Sequence, residues 1–225
     1  MKLHVFYSAE HAEIFRTYFL GTLEKGPSDM DVVEHHYVPT HSGNGDFMSE
    51  SFLEVIRAKL GEVCRSIAES YGSIIIWSDV DVQFFAPAAA IRDEIMRQMG
   101  DKDILMQDEG DGTCNSGFMA IRCSPRTLAL FSYVSCFCES SGLNEQPVLA
   151  GVLREGSFPD ILGIRWGLLD RRFWATSHGQ PIPDILIHHA NCTHPMEGLT
   201  SIEIKKMHMG EVRSQFELYL AGLSG

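Results

Sequence analysis

Asp79 and Asp81 stand two residues apart in the stretch Ile74-Ile75-Ile76-Trp77-Ser78-Asp79-Val80-Asp81-Val82-Gln83-Phe84-Phe85. Read as one continuous strand, the stretch sends alternate side chains to opposite faces, so both carboxylates point the same way. Two converging carboxylates at the edge of an apolar core are costly unless a cation or hydrogen-bond donors compensate. Carboxylate oxygens suit a hard divalent cation, Mn²⁺ or Mg²⁺, which commonly shares its shell with substrate phosphates. The bland alternative is a pair of solvated acids at a strand end, and the tripeptide alone does not decide between them.

A second polar strand end follows in Ile185-Leu186-Ile187-His188-His189-Ala190-Asn191. Imidazole is a good ligand for Mn²⁺, and strand alternation lets only one of His188 and His189 face the acids. The competing readings are a core histidine bonded to a carbonyl, or zinc held by a crowded set of His189, Cys192 and His194. Asp103 to Glu109 (DILMQDE) reads as a strand running into acids. Asn115-Ser116-Gly117, placed before a strand over 118–122, offers short side chains that could bring hydrogen bonds close to a polyol, or is merely a turn. Asn144-Glu145-Gln146 reads as a helix start, either a simple cap or a carboxylate and an amide presented to a sugar.

These residues need elements to position them. Leu3 to Tyr7 reads as a first strand, and Ser8 as the cap of a helix carrying Ile14, Phe15, Tyr18 and Phe19, ended by Gly26-Pro27. A second strand spans 32–38, followed by a loop from Pro39 to Asp46. Ser51 to Glu54 forms a capping box opening a helix with an apolar face of Phe52, Ile56, Leu60, Val63 and Ile67. That helix feeds the strand from Ser73 to Trp77. Further on come a helix over 88–99, a strand over 103–107, and a helix from Ser124-Pro125 to about Glu139. A helix through Leu153, extended segments near 161–166 and 184–189, and a last helix from about Ser201 complete the chain. Alternating strands and helices predict an α/β architecture with a mainly parallel central sheet flanked by helices. In such sheets ligands bind beyond the carboxyl ends of the strands, where Asp79 and Asp81 lie.

The 225 residues suit one domain, with ordinary hydrophobic and charged content and a net charge of −12. That charge argues against nucleic acid or an anionic membrane as the main partner. No run approaches the length of a transmembrane helix, and the first residues are too short and polar for a signal peptide, which predicts a cytoplasmic chain. Six scattered cysteines form no CxxC pair and are expected to be reduced packing residues.

In order, the motifs resemble those of nucleotide-diphospho-sugar transferases, glycosyltransferases of the GT-A fold. The resemblance rests on Lys59, Ser78-Asp79-Val80-Asp81-Val82, Gln107-Asp108-Glu109-Gly110, Asn115-Ser116-Gly117-Phe118, Asn144-Glu145-Gln146 and His189-Ala190-Asn191. It spans about residues 3 to 206, and departs from the usual pattern at Glu109, where a second aspartate is expected. It implies a metal-dependent transfer from a nucleotide-diphosphate sugar, most simply UDP-linked, to an unidentified acceptor, with retention favoured. Asp79 would contact ribose or metal, Asp81 the metal, and His189 would be the third protein ligand. Asn115, Glu145 and Gln146 would contact the sugar, with Glu145 and Asp108 the catalytic candidates. Tyr7 and Ser8 would lie near the base. Lys59, unless a surface lysine, would reach the diphosphate or sugar, and Lys205 or Lys206 would close over the phosphates. Two other classes stay in view: another Mg²⁺- or Mn²⁺-dependent phosphate enzyme, such as a nucleotidyltransferase or phosphohydrolase, and a nucleotide-sugar binding module without turnover. The missing DxDxT motif and P-loop count against the first.

Overall fold

The computed structural model describes residues 1–23, 30–38, 50–110, 112–155, 157–175, 184–191 and 196–223, without the side chains of 50, 51 and 157–159. The Gly26-Pro27 break, the loop from Pro39 to Asp46, the Ser51 side chain, and the Cys192 and His194 of the zinc alternative lie outside that description.

Six strands form the main sheet: β1 (Lys2–Ser8), β2 (Asp31–Tyr37), β3 (Ile74–Asp79), β5 (Ile104–Asp108), β6 (Cys114–Arg122) and β7 (Trp166–Leu168). Their order is β2-β1-β3-β6-β5-β7. The pairings β1–β2, β1–β3 and β5–β7 are parallel, and only β6 runs against its neighbours. A mainly parallel sheet is therefore what forms. Residue alternation sorts its two faces. Leu3, Val5, Ile76, Leu105, Phe118 and Ala120 join one apolar layer with the α3 helix (Ala88–Met99) and the helical stretch through Phe15 and Phe19. Ile75, Trp77, Ile104, Met106, Met119 and Ile121 join the other, under α2 (Glu50–Glu69), α4 (Pro125–Ser141) and α5 (Glu145–Glu155). On α2 the apolar stripe buries Ile56, Leu60, Val63 and Ile67, while Phe52 is half-buried.

Local signals are legible in several starts and stops. Ser124 caps α4 through a reciprocal capping box with Thr127, Pro125 follows it, and Gly142 closes the helix in the left-handed region at φ 70°. Elsewhere the expected pattern shifts. The helix after Ser8 starts as a 3-10 turn (Ala9–His11), passes through α1 (Ala12–Ile14) and becomes a π turn (Phe15–Leu20). Ser8 makes no backbone cap bond there, its Oγ meeting His11 Nδ1 at 3.0 Å instead. The segment 161–166, expected to be extended, begins with the end of α6 (Ser157–Leu162) before β7. A second sheet absent from the sequence reading joins β4 (Val82–Phe84), β9 (Ile187–His189) and β8 (Phe173–Ala175), in the order β4-β9-β8. The last helix, α7, spans Ser201–Leu223. No helix among the described residues is long and apolar enough to cross a membrane. The five described cysteines are free thiols.

Beneath α2, His4 is 3% exposed and clusters with His35 and Trp77, whose ring centroids lie 5.2 and 6.2 Å from it and 5.3 Å from each other. Its Nδ1 faces Ser66 Oγ at 3.1 Å and His35 Nε2 at 2.9 Å. Burial, then the positive ends of His35 and Lys2, push its pKa down to about 4. An unfolded histidine titrates near 6.5, so between pH 6.5 and 4 the unfolded chain binds the extra proton and stability falls with acidification, by about 2 to 3 kcal/mol. Denaturant midpoints measured from pH 7 to 4 should show this slope, and His4→Gln should flatten it. An equal slope in both proteins would assign the effect elsewhere.

Candidate active site

The acids sit where β3 ends. Asp79 is the last residue of β3, and Val80-Asp81 form a turn before β4. Continuous strand alternation therefore does not explain their convergence, which the turn produces by folding Asp81 back beside Asp79. The turn is held from the second sheet. β4 pairs antiparallel with β9, Val82 opposite His189 and Gln83 opposite His188, and Ala190 N–H donates to the Asp81 carbonyl at 2.9 Å. That register carries His189 to the acids. One ligand atom from each of Asp79, Asp81 and His189 lies within 4.8 Å of the others, the one such cluster among the described residues.

His189 Nε2 is 3.4 Å from Asp81 Oδ1. Its Nδ1 is 3.0 Å from Gln107 Oε1, while Gln107 Nε2 donates to the Phe173 carbonyl at 3.4 Å. That amide orientation makes Nδ1–H the donor, so in the neutral ring Nε2 turns a lone pair toward Asp81. Facing lone pairs of imidazole and carboxylate call for a shared cation, and a histidine oriented through its other nitrogen is the usual support of a metal ligand. The donor set of two carboxylates and one imidazole fits Mn²⁺ or Mg²⁺. His188 faces the other way: its Nδ1 meets Gln83 Nε2 at 3.0 Å and its ring packs on Trp174.

Backbone shape makes room for this ring. Between β5 and β6 the register jumps from Met106↔Met119 to Gln107↔Asn115, leaving Ser116, Gly117 and Phe118 bulged out of that pairing. Asn115-Ser116-Gly117 thus lies inside β6, where a turn before the strand was expected. A Cβ on Gly117 would fall 2.1 Å from His189 Cε1. The bulge also brings Ser116 Oγ within 3.1 Å of Glu145 Oε1.

Each acid has its own ammonium. Lys59, from α2, is 6% exposed and pairs with Asp79 Oδ1 at 2.7 Å and Glu145 Oε1 at 3.1 Å. The surface-lysine reading is overturned: the apolar face of α2 carries Lys59 inward between two acids. Burial would drain its proton, but those carboxylates hold it firmly charged, above the ordinary lysine range. Lys205, from α7, pairs with Asp81 Oδ2 and donates to the Ala190 carbonyl at 2.8 Å. Burial acts against the Asp81 charge, yet the charge around it, the Lys205 ammonium foremost, keeps that carboxyl well below the usual range. Burial, with Asp81 adding like charge, pushes Asp79 up against the pull of Lys59. Lys206 instead pairs with Glu13 at 2.7 Å, at the surface.

The remaining expected residues surround this centre. Glu145, 5% exposed, keeps its Oε2 without a partner among the described residues, and Asn144 Oδ1, the expected cap, likewise accepts nothing there. Asn115 Nδ2 and Gln146 Nε2 both donate to Glu109 Oε1, each at 2.9 Å. Asp108 Oδ1 accepts the N–H groups of Gly110 and Gly112 at 2.8 and 2.9 Å, shaping the turn after β5. Tyr7 donates its hydroxyl to Glu34 at 2.6 Å and stacks on Phe15. His11, which no sequence motif marked, lies within electrostatic reach of Asp79, Asp81 and Lys205, and burial lowers its pKa. Gln107 and Ser116 also escaped notice as orienting groups, although both lie within quoted motifs.

A mixed α/β sheet with an Asp-x-Asp turn at its carboxyl edge and a histidine delivered from a small second sheet defines a GT-A fold. The chain belongs to the nucleotide-diphospho-sugar transferase family, whose model matches residues 22–208. Solved structures agree on the fold. A glycosyltransferase involved in glycosylating the major capsid of PBCV-1 matches with a TM-score of 0.58 and 12% identity, over 94% of this chain and 98% of that one. GlyE from Streptococcus pneumoniae TIGR4 matches with a TM-score of 0.57 and 10% identity, over 98% of this chain but only 62% of the GlyE chain. The galactosyltransferase LgtC, solved with donor and acceptor sugar analogues, gives a TM-score of 0.52 and 11% identity, over 94% of this chain and 96% of its own. No curated protein matches.

Proposed function

We propose that the protein is a metal-dependent glycosyltransferase, moving a sugar from a nucleotide-diphosphate sugar, UDP-linked, to an acceptor hydroxyl. The observation carrying this reading is the convergence of Asp79, Asp81 and His189 within 4.8 Å at the mouth of the sheet. These three residues would hold Mn²⁺ or Mg²⁺. Such an ion, when bound, neutralises charge developing on the leaving diphosphate.

The chain's own groups have separable tasks. Gln107 fixes the His189 tautomer and ring plane. Lys59 supplies the counter-charge to Asp79 and Glu145 and holds both in place, acting through them rather than on the donor. Glu145 offers the unpartnered Oε2 to a sugar hydroxyl, beside Asn115 and Gln146. Lys205, one of two ammonium groups next to the acids and the more exposed of them, is the one able to turn onto the diphosphate. Asp108 shapes the turn bordering the acceptor side, and Tyr7 and Ser8 line the approach to the base.

Calorimetric titration of UDP with and without Mn²⁺ tests the reading. Binding should require the metal, and His189→Ala should weaken it at least tenfold more than His188→Ala. Metal-independent binding, or undiminished binding by Asp81→Ala, overturns it. A screen of UDP- and GDP-sugars for slow Mn²⁺-dependent hydrolysis then separates an enzyme from a binding module and identifies the donor.

A further inference from the structure

One carboxylate outside the metal cluster gathers three of the expected motifs. Glu109 Oε1 accepts Asn115 Nδ2 from β6 at 2.9 Å, Gln146 Nε2 from α5 at 2.9 Å, and Asn191 Nδ2, just past β9, at 3.2 Å. Bonds to an ionised acceptor are stronger than neutral ones, and an amide that turns its NH₂ to Glu109 must turn its oxygen away. Those oxygens are used nearby. Asn115 Oδ1 accepts Gly117 N–H at 2.7 Å, and Gln146 Oε1 accepts Ser116 N–H at 3.4 Å. The bulge that cradles His189 is therefore tied on both sides to amides that Glu109 orients. No pairing of strands connects these three segments at this point, because Asn115, Gln146 and Asn191 come from a strand, a helix and a strand end. The anion is what makes them one surface.

We propose that Glu109 is a positioning residue for the donor sugar: it aligns the amides of Asn115, Gln146 and Asn191 into the wall that the sugar meets. This rests on the transferase reading above. Glu109 acts through its amides, since its Oε1 is already shared among three donors. In the metal half of the site His189 is held by Gln107 and by its strand register with Val82, neither of which involves Glu109. The two halves should thus separate experimentally.

The test compares Glu109→Gln, Glu109→Ala, Asn115→Ala and the double variant Glu109→Ala/Asn115→Ala with the unaltered protein. Calorimetry with Mn²⁺ and UDP, which carries no sugar, should give affinities within about twofold for the Glu109 variants. Hydrolysis of the donor identified by the screen should show kcat lowered about tenfold in Glu109→Gln and about a hundredfold in Glu109→Ala, the range for groups that orient contacting residues. Because Glu109 works in part through Asn115, the loss in the double variant should fall short of the product of the two single losses, the rest coming from Gln146 and Asn191. Unchanged kcat in Glu109→Gln, fully additive losses, or a parallel loss of UDP affinity would each overturn the proposal. The isosteric glutamine keeps the test decisive if the alanine variant does not fold. Absence of any metal-dependent UDP binding by the unaltered protein would instead bring down the transferase reading itself, and this proposal with it.

Discussion

Gly117→Ala is expected to weaken Mn²⁺-dependent UDP binding by about a hundredfold, comparable to removing a metal ligand, although Gly117 has no side chain to coordinate anything. The reason is space. An added Cβ would lie 2.1 Å from His189 Cε1, 2.8 Å from His189 Nε2 and 2.9 Å from Asn115 Oδ1, where Cβ contacts below 3.0 Å essentially do not occur. The ring has nowhere compatible to go. Its Nδ1–H is fixed on Gln107, its backbone is paired in register with Val82, and the residue is only 3% exposed. Either His189 swings off Asp81 or the β6 bulge is pushed from Glu145, and each outcome damages the site. Gly61→Ala provides the matched control, since nothing lies within 4 Å of the added carbon there and a mid-helix alanine is favoured. Metal titration followed by electron paramagnetic resonance would read the effect directly. Retained Mn²⁺ affinity in Gly117→Ala would overturn the displacement of His189 and show that the β6 bulge is the part that yields.

Lys59→Met is expected to cost about 3 kcal/mol of stability, at the lower end of the range for removing one partner of a buried ion pair. Methionine fills similar volume, so the loss reports on charge. Asp79 and Glu145 would be left without their ammonium, and Glu145 is nearly closed to water with one oxygen already unpartnered. The Asp79 side chain is 31% exposed, so solvent screens part of the penalty there, which favours the lower figure. Mn²⁺ should restore some of the lost stability, because a cation bound at Asp79 replaces the missing charge and binds only the folded chain. Lys59→Arg should not rescue, as the planar guanidinium does not fit a compact two-acid socket. Urea midpoints with and without Mn²⁺ measure both effects. A loss below about 1 kcal/mol would show that the two acids find other partners.

Much of this chain could be read from local pattern. The helix over 88–99 matched α3 residue for residue, and the Ser124-Pro125 start and the inward stripe of α2 were visible because capping and a 3.6-residue period are properties of neighbouring residues. The run Ile74-Ile75-Ile76-Trp77 announced a central strand by composition alone. The short strands were harder. β4 and β8 have three residues each, too few for a period to register, and they exist because β9 pairs with both.

The sequence by itself determined which groups were available: two acids at a strand end, a histidine at another, amides and a glutamate near turns, and a lysine on a helix. It also determined the α/β class, since strand and helix periods alternate along the chain. Only the tertiary structure decided how those groups meet. Asp79 and Asp81 converge through a turn rather than by strand alternation, and the β4–β9 register brings His189 across more than a hundred residues of chain. The β6 bulge opens the space that Gly117 leaves for the imidazole. Lys59 became a buried counter-ion because the face of α2 that carries it packs inward. Each of these outcomes depends on the register and packing of segments distant in sequence, which are fixed by how whole apolar faces close on one another and leave no trace in any local spacing.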